Sequence, residues 1–416
     1  MDFLVAWHRS PLGQLRHDGF EWRWTPSERA GPPLIRDTKP GKLPAFIESL
    51  LPEGWLAKIL QQRDERDALR QGKRYMSNIA IVRSRDELKT LHDDVLQGSL
   101  RKFSRKGRFT GRYAGPGRED IERSFEQNLA RLFASAETPR LSGVQIKAPM
   151  CLATNGSLAP ATERPFTHIL KPADTAGFEN LPVVEWLCME LGRALGFDVP
   201  AAALVEMPSG MPPALVVERF DIRNGPDDRR RLALEDFCSI LDLPTTAKYD
   251  GTIERMAKAL RAISTDATAD LEILFRRALF SWIIADGDMH LKNVAILKIA
   301  PSRGKRFTSV RLAPLYDAVT TRVFPGLAHD RIALKLNGRD DRITPKDFIA
   351  LARAIDVPVP RAEAILSDTA ERAARALPKL SLPKFASSEK FASSEEVSAM
   401  QEKMRSIVSV RLQPFR

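Results

Sequence analysis

The 416-residue sequence is short of several things, and each shortage removes a class of protein. Its three cysteines, Cys151, Cys188 and Cys238, stand far apart with no CxxC pair. That excludes a disulfide-built scaffold and a thiolate zinc site, and it points to a reducing, cytoplasmic setting. Six histidines occur in the whole chain, none as HxH or HxxxH, which argues against a His-rich metal hydrolase. No stretch approaches the roughly 20 apolar residues of a membrane span. The opening "MDFLVAWHRSPLGQL" lacks the basic start and long apolar centre of a secretory signal. No membrane partner is expected.

What is present in excess is positive charge. Against 53 Asp and Glu stand 64 Lys and Arg, a net charge of +11, which favours a polyanionic partner. Much of the excess lies in "RKFSRKGRFTGRYAGPGR", 101–118, with seven Lys and Arg, no acid, and Phe103, Phe109 and Tyr113 between them. Cations interleaved with aromatics can hold phosphates and stack on bases. The glycines and proline of the same segment favour a solvated surface loop, and that is the preferred reading. The apolar content of 43% and charged content of 28% are those of an ordinary globular chain, long enough for two or three domains.

Along the chain, 1–60 reads as short strands around an "HDG" turn. A helical pattern, "LPAFIESLLPEGWLAKILQQR", follows and is interrupted by Pro52 and Gly54. Residues 61–135 are polar and helix-forming, apart from the basic segment. From 140 to 220, β-like runs ("GVQIKAPM", "FTHILKP", "AALVEM", "ALVVERF") surround one strong helix, "LPVVEWLCMELGRALG". Beyond 222 the pattern is helical until "VAILKI" and "FTSVRLAPLYDAV", a strand pair. Near the end "KFASSE" at 384–389 is repeated at 390–395, which suggests a duplicated, exposed linker. The expected organisation is 1–139 with the basic insertion, a β-rich lobe at 140–220, a helical lobe at 221–375 and a tail at 376–416.

The chemistry concentrates in "WIIADGDMHLKNVAIL", 282–297, where acids, a His, a Lys and an Asn sit between two apolar runs. Asp288 to Asn293 is D-x-x-x-x-N, and Asp317 follows 24 residues after Asn293, beyond a strand-like run. Phosphoryl transfer in protein kinases uses these parts in this order: an Asp base, a metal-holding Asn, and a second metal-holding Asp. Oxygen ligands of this kind suit Mg²⁺. Lys292 can neutralise phosphoryl charge, and His290 can contact nucleotide or fix the loop. Taken by itself, the pattern also fits a helix C-terminus capped by acidic and amide groups. The upstream residues decide between the two. "LSGVQIKAPM" offers a Ser-Gly turn leading into a strand, whose N–H groups can face phosphate. Lys171 ends the run "FTHILK", Glu185 lies one helix on as a salt-bridge partner, and "LVVERFD" sits where an adenine hinge belongs.

In this order "SGVQIK", "THILKP", "ENLPVVEWLCMELGRALG", "ERFD", "EDFC", "DGDMHLKN" and "LAPLYDA" resemble successive blocks of the HipA-type Ser/Thr kinases, toxins of toxin–antitoxin pairs; "SLLPEG" at 49–54 is similar to their N-terminal subdomain. The resemblance implies an α+β, bilobal protein-kinase-like fold, with a mixed β-rich N-terminal lobe and an all-helical C-terminal lobe. It implies Asp288 as catalytic residue, and Asn293 and Asp317 as Mg²⁺ ligands. ATP would be bound by Ser142, Gly143, Val144, Gln145, Ile146 and Lys147 of the phosphate loop, by Lys171, by Glu218, Arg219 and Phe220 of the hinge, and by His290, Leu291, Lys292 and Asn293. Ser142 is the implied autophosphorylation site. Implied partners are a HipB-like helix-turn-helix antitoxin, DNA mainly through it, and a protein substrate such as an aminoacyl-tRNA synthetase. Two positions depart from the family pattern: Asp286 where Asn is frequent, and Arg140 where a Ser is common. The rival readings are a degenerate kinase fold acting as co-repressor with its antitoxin, and a kinase for a small molecule or lipid.

Overall fold

A computed structural model describes the chain except for residues 8–9, 28–40, 92–93, 116–131, 136–137, 139, 142–144, 174–176, 208–210, 225–228, 301–306, 385–393 and 416. Ser142, Gly143 and Val144, and most of the tandem hexapeptide, therefore lie outside the described residues.

The amino-terminal unit is built on strands β1 (Asp2–Trp7), β2 (Ser10–His17), β3 (Trp22–Pro26) and β4 (Ile79–Val82). They form an antiparallel sheet in the order β3-β2-β1-β4. The β2–β3 turn closes because Asp18 Oδ1 accepts from the N–H groups of Phe20 and Glu21, while Gly19 takes φ +119°, which only glycine adopts freely. Alternation along β1 sends Phe3 and Val5 into a core shared with Leu15, Trp22, Phe46 and Ile47. Phe46 and Ile47 belong to α1 (Ala45–Glu48), and α2 (Gly54–Ile59) follows. Helix α2 opens on Gly54, at φ +54°, a break where the apolar pattern is interrupted.

Eight strands make the second sheet: β5 (Ser104–Arg105), β6 (Arg108–Phe109), β7 (Arg112–Tyr113), β8 (Ala148–Leu152), β9 (Ser157–Pro160), β10 (His168–Lys171), β11 (Ala202–Val205) and β12 (Ala214–Glu218). The order is β5-β6-β11-β12-β10-β8-β9-β7. Strands β6 and β7 lie two residues apart in the chain yet on opposite sides of the series, so the sheet curls until its edges nearly meet. The helix α3 (Leu181–Ala194), apolar on most of its surface, packs over β11 and β12.

This corrects the reading of the basic segment. Its described part, 101–115, is not a free loop. A one-turn helix, Leu100–Phe103, runs into β5, β6 and β7, bonded through Thr110 N to Phe103 O at 2.6 Å and Arg112 N to Gly156 O at 2.9 Å. Phe109 is buried, and Phe103 and Tyr113 pack against the same core. The aromatics fill the sheet's interior and are not available for base stacking. The cations Arg101, Lys102, Arg105, Lys106, Arg108 and Arg112 remain exposed.

A short ladder, β13 (Ile222–Asn224) with β14 (Arg229–Arg231), leads into the second lobe. That lobe holds helices α4 (Phe237–Ile240), α5 (Ile253–Ile263), α6 (Ala267–Ile284), α7 (Pro345–Ala354), α8 (Val359–Ala376) and α9 (Ser394–Leu412). It is not all-helical. Strands β15 (Ala233–Asp236), β16 (Ala295–Ile299) and β17 (Ser309–Leu312) form an antiparallel sheet around β16. The segment past 376 is more than a tail, since Val397, Met404, Val408 and Leu412 of α9 are buried in the lobe's main core.

Candidate active site

The two lobes and the amino-terminal unit enclose a cleft of about 820 Å³. Lys147, Lys171 and Glu185 line it from the β-rich lobe, and Asp288, His290, Lys292, Asn293 and Asp317 from the helical lobe. Ile169, Met189, Val217, Phe220 and Leu234 give part of its wall an apolar character.

Strand β10 ends in Lys171, and α3 presents Glu185 to it. Lys171 Nζ donates to Glu185 Oε1 at 2.6 Å and also pairs with Asp317 Oδ1. Burial opposes the lysine's charge, but Asp317 and Glu185 outweigh it and hold the ammonium above the ordinary lysine range. Burial pushes the Glu185 carboxyl up to about 7 against the pull of Lys171. Burial also opposes ionisation of Asp317, yet Lys171 and Lys147 hold its carboxyl down at about 2. Lys147 is buried beside this pair, and desolvation lowers its pKa despite the attraction of Asp317. Asp317 sits at φ +52°, an unfavourable conformation for a residue with a side chain.

The Asp288 loop begins where α6 stops. Ala285 turns left-handed at φ +58° and closes the helix. Asp286 is buried, and its Oδ1 accepts from Asp288 N at 2.9 Å. Desolvation drives its carboxyl well above the usual carboxylate range, against backbone hydrogen bonds that lower it. Asn293 Nδ2 donates to the Asp288 carbonyl at 2.7 Å. That leaves its side-chain oxygen as the atom that can take a cation. Burial lowers the His290 imidazole to about 4, and its Nε2 lies 3.8 Å from Asp288 Oδ1.

Several expected contacts are redirected. Lys292 reaches the cleft, but its ammonium is bound to Glu53 and to the Ser49 carbonyl at 3.2 Å; it is not free for phosphoryl charge. Arg219 is no surface group, because its guanidinium is committed to Asp221, Asp94 and the Phe166 carbonyl. Glu218 accepts from Ser99 Oγ at 2.8 Å and Leu100 N at 2.7 Å. The N–H groups of Glu218 and Arg219 are donated to Ala201 O and Thr167 O, which leaves less of the hinge backbone for a base. Gln145 lines the cleft, while its carbonyl accepts from Trp55 Nε1 at 2.7 Å. Ile146 and Leu291 do not line it; Leu291 is fully buried against Gly251. Sequence reasoning missed Tyr249, whose hydroxyl donates to Asp288 Oδ1 at 2.7 Å, and missed Ser49 and Glu53.

The cleft fits Mg²⁺ and a nucleoside triphosphate. Two nearly buried lysines converge with an ionised Asp317 and the amide oxygen of Asn293, next to an apolar wall. Among the described residues no group of three or more His, Cys, Asp or Glu forms a ready-made metal cage. A Mg²⁺ ion completed by phosphate oxygens and water needs none. No helix among the described residues is long and apolar enough to cross a membrane.

The family model of the HipA-like C-terminal domain matches residues 140–377. A putative kinase of Sinorhizobium fredii is 33% identical over 215 residues, covering 50% of this chain and 49% of that protein. The serine/threonine-protein kinase toxin HipA of Shewanella oneidensis is 27% identical over 262 residues, 58% of this chain and 56% of its own. The chain thus spans about half the length of the curated relatives it matches. Among solved structures, HipA of Shewanella oneidensis in complex with HipB and operator DNA superimposes with a TM-score of 0.70 at 17% identity. That alignment covers 99% of this chain and 96% of that one, which shows a shared fold. With more than half of its residues matched by the family's C-terminal domain, the chain belongs to the HipA family.

Proposed function

We propose that the chain is an ATP-dependent serine/threonine protein kinase, the toxin of a HipA–HipB type pair. The observation that carries this is the meeting of Lys171, Glu185, Asp288, Asn293 and Asp317, scattered over 147 positions of sequence, around one cleft. Bound Mg·ATP would supply the transferable phosphoryl group. Lys171, kept cationic by Glu185 and Asp317, and Lys147 supply positive charge for the phosphates. Asn293 and Asp317 offer the oxygens for Mg²⁺. Asp288 takes the proton from the acceptor hydroxyl, and the buried loop around Asp286 holds its backbone in place. The relative solved with HipB and operator DNA supports a HipB-like antitoxin as partner, with DNA met mainly through it. An aminoacyl-tRNA synthetase is the proposed kind of substrate, and Ser142 the proposed site of self-inactivation.

The test is to incubate the purified chain with labelled Mg·ATP and a host extract. Label is expected on protein, and Asp288→Asn is expected to lower transfer about 10²–10⁴-fold while retaining ATP binding. Full activity in Asp288→Asn would remove Asp288 from its role. Label on lipid or small molecules alone would replace the protein-kinase reading.

A further inference from the structure

Resting on that reading, we propose that Tyr249 is the positioning residue for the Asp288 carboxylate. The backbone of Asp288 is gripped on both sides, its N–H by Asp286 and its carbonyl by Asn293. Its side chain is not gripped in this way. The side chain is 45% exposed, and His290 Nε2 at 3.8 Å is beyond hydrogen-bonding reach. Among the described residues the hydrogen bond to this carboxylate comes from Tyr249 Oη, 2.7 Å from Oδ1. A base free to turn about χ1 and χ2 would spend part of its time facing away from the acceptor. A phenol on Oδ1 fixes the carboxylate and leaves Oδ2 for the incoming hydroxyl.

Tyr249 is itself held in place. It follows a single 3-10 turn, Thr245–Ala247. The start of that turn is tied to the amino-terminal unit, because Thr245 N and Oγ1 donate to Glu48 Oε1 at 2.9 and 3.3 Å. Its end is tied to the catalytic loop through Leu291 N to Lys248 O at 3.0 Å. The phenol ring meets His290 edge-on, centroids 5.1 Å apart at 80°. The hydroxyl therefore arrives on an element separate from the loop it constrains, which is the arrangement precise placement of a base requires.

Two variants separate the hydroxyl from the ring. Tyr249→Phe keeps the ring contact with His290 and removes only the donor, while Tyr249→Leu removes both. A hydrogen bond to a charged group corresponds to roughly a tenfold or larger effect. Both variants are expected to lower kcat about tenfold, with the KM for Mg·ATP within twofold of wild type and the melting temperature unchanged, because the ring is nearly half exposed. A structural role would spare Tyr249→Phe and lower the melting point of Tyr249→Leu instead. Wild-type kcat in Tyr249→Phe overturns the proposal while leaving the kinase reading intact. A kcat above wild type also overturns it, and would make the hydroxyl a block to the acceptor. A wild-type chain that binds Mg·ATP but phosphorylates nothing would fail the kinase reading and this proposal together.

Discussion

A buried acid beside the proposed base changes what pH does to this loop. Burial makes the Asp286 anion costly and Asp288 adds repulsion, so its carboxyl is raised well above the usual range. Its folded-state pKa is therefore raised above the unfolded one. The contribution to stability is complete below the ordinary carboxyl value and is lost as pH rises through the folded value. Asp286→Asn imitates the neutral acid at every pH. The variant is expected to melt like wild type below about pH 4 and to become progressively more stable than wild type towards neutral and alkaline pH. His290, lowered to about 4 by burial, works in the opposite direction but is present in both proteins, so the difference isolates Asp286. Melting curves from pH 3 to 9 would decide it, and a difference constant across that range would show that folding does not raise the Asp286 carboxyl.

At the scale of elements, the basic segment has two separable sides. Its aromatics close the curled sheet: Phe109 is buried in the core, and Phe103 packs against Gly156. Phe109→Ala is expected to cost about 3–5 kcal/mol, read by urea denaturation. Neutralising Arg101, Lys102, Arg105, Lys106 and Arg112, all exposed, should shift stability by less than about 0.5 kcal/mol. The same change should flatten the salt dependence of any binding to DNA. Equal destabilisation by both changes would refute this division. Here the limits of the sequence are visible. The loop around Asp288 was readable because residue type and short spacing carry its chemistry. Strands of two residues show no alternation, so the segment carrying Phe103, Phe109 and Tyr113 read as a solvated loop rather than as core. Tyr249 and Glu53 act on partners 39 and 239 residues away, and no local pattern announces such a contact. Helix α9 follows a low-complexity stretch that argued for a tail.

Across the whole molecule, the amino-terminal unit is bonded to both lobes around the cleft. Ser49 Oγ donates to Asp236, Glu53 pairs with Lys292, and Trp55 reaches the Gln145 carbonyl. A buried carboxylate, Asp94, completes the junction. It accepts from Arg74 at 2.5 Å and from Phe166 N at 2.9 Å, and pairs with Arg219 at 3.3 Å and Arg231 at 3.4 Å. These arginines come from just before β4, from the hinge after β12, and from β14. One anion thus holds three cations from three parts of the fold. Burial pushes its carboxyl up, but Arg231, Arg219 and Arg74 outweigh it and keep it below the ordinary range. Its stabilising effect is therefore present above the ordinary carboxyl value and lost as pH falls through the folded value, opposite in sign to Asp286. Asp94→Asn leaves three guanidiniums with Asp221, bound to Arg219, as the carboxylate that remains among them, and at neutral pH it is expected to cost about 3–5 kcal/mol. Because Arg219 itself lines the cleft, ATP binding should weaken in the same variant. Urea denaturation at pH 7 and at progressively lower pH should show the gap between variant and wild type closing as the wild-type carboxylate protonates. A gap that stays constant, or ATP affinity equal to wild type, would mean that Asp94 does not tie the junction to the cleft.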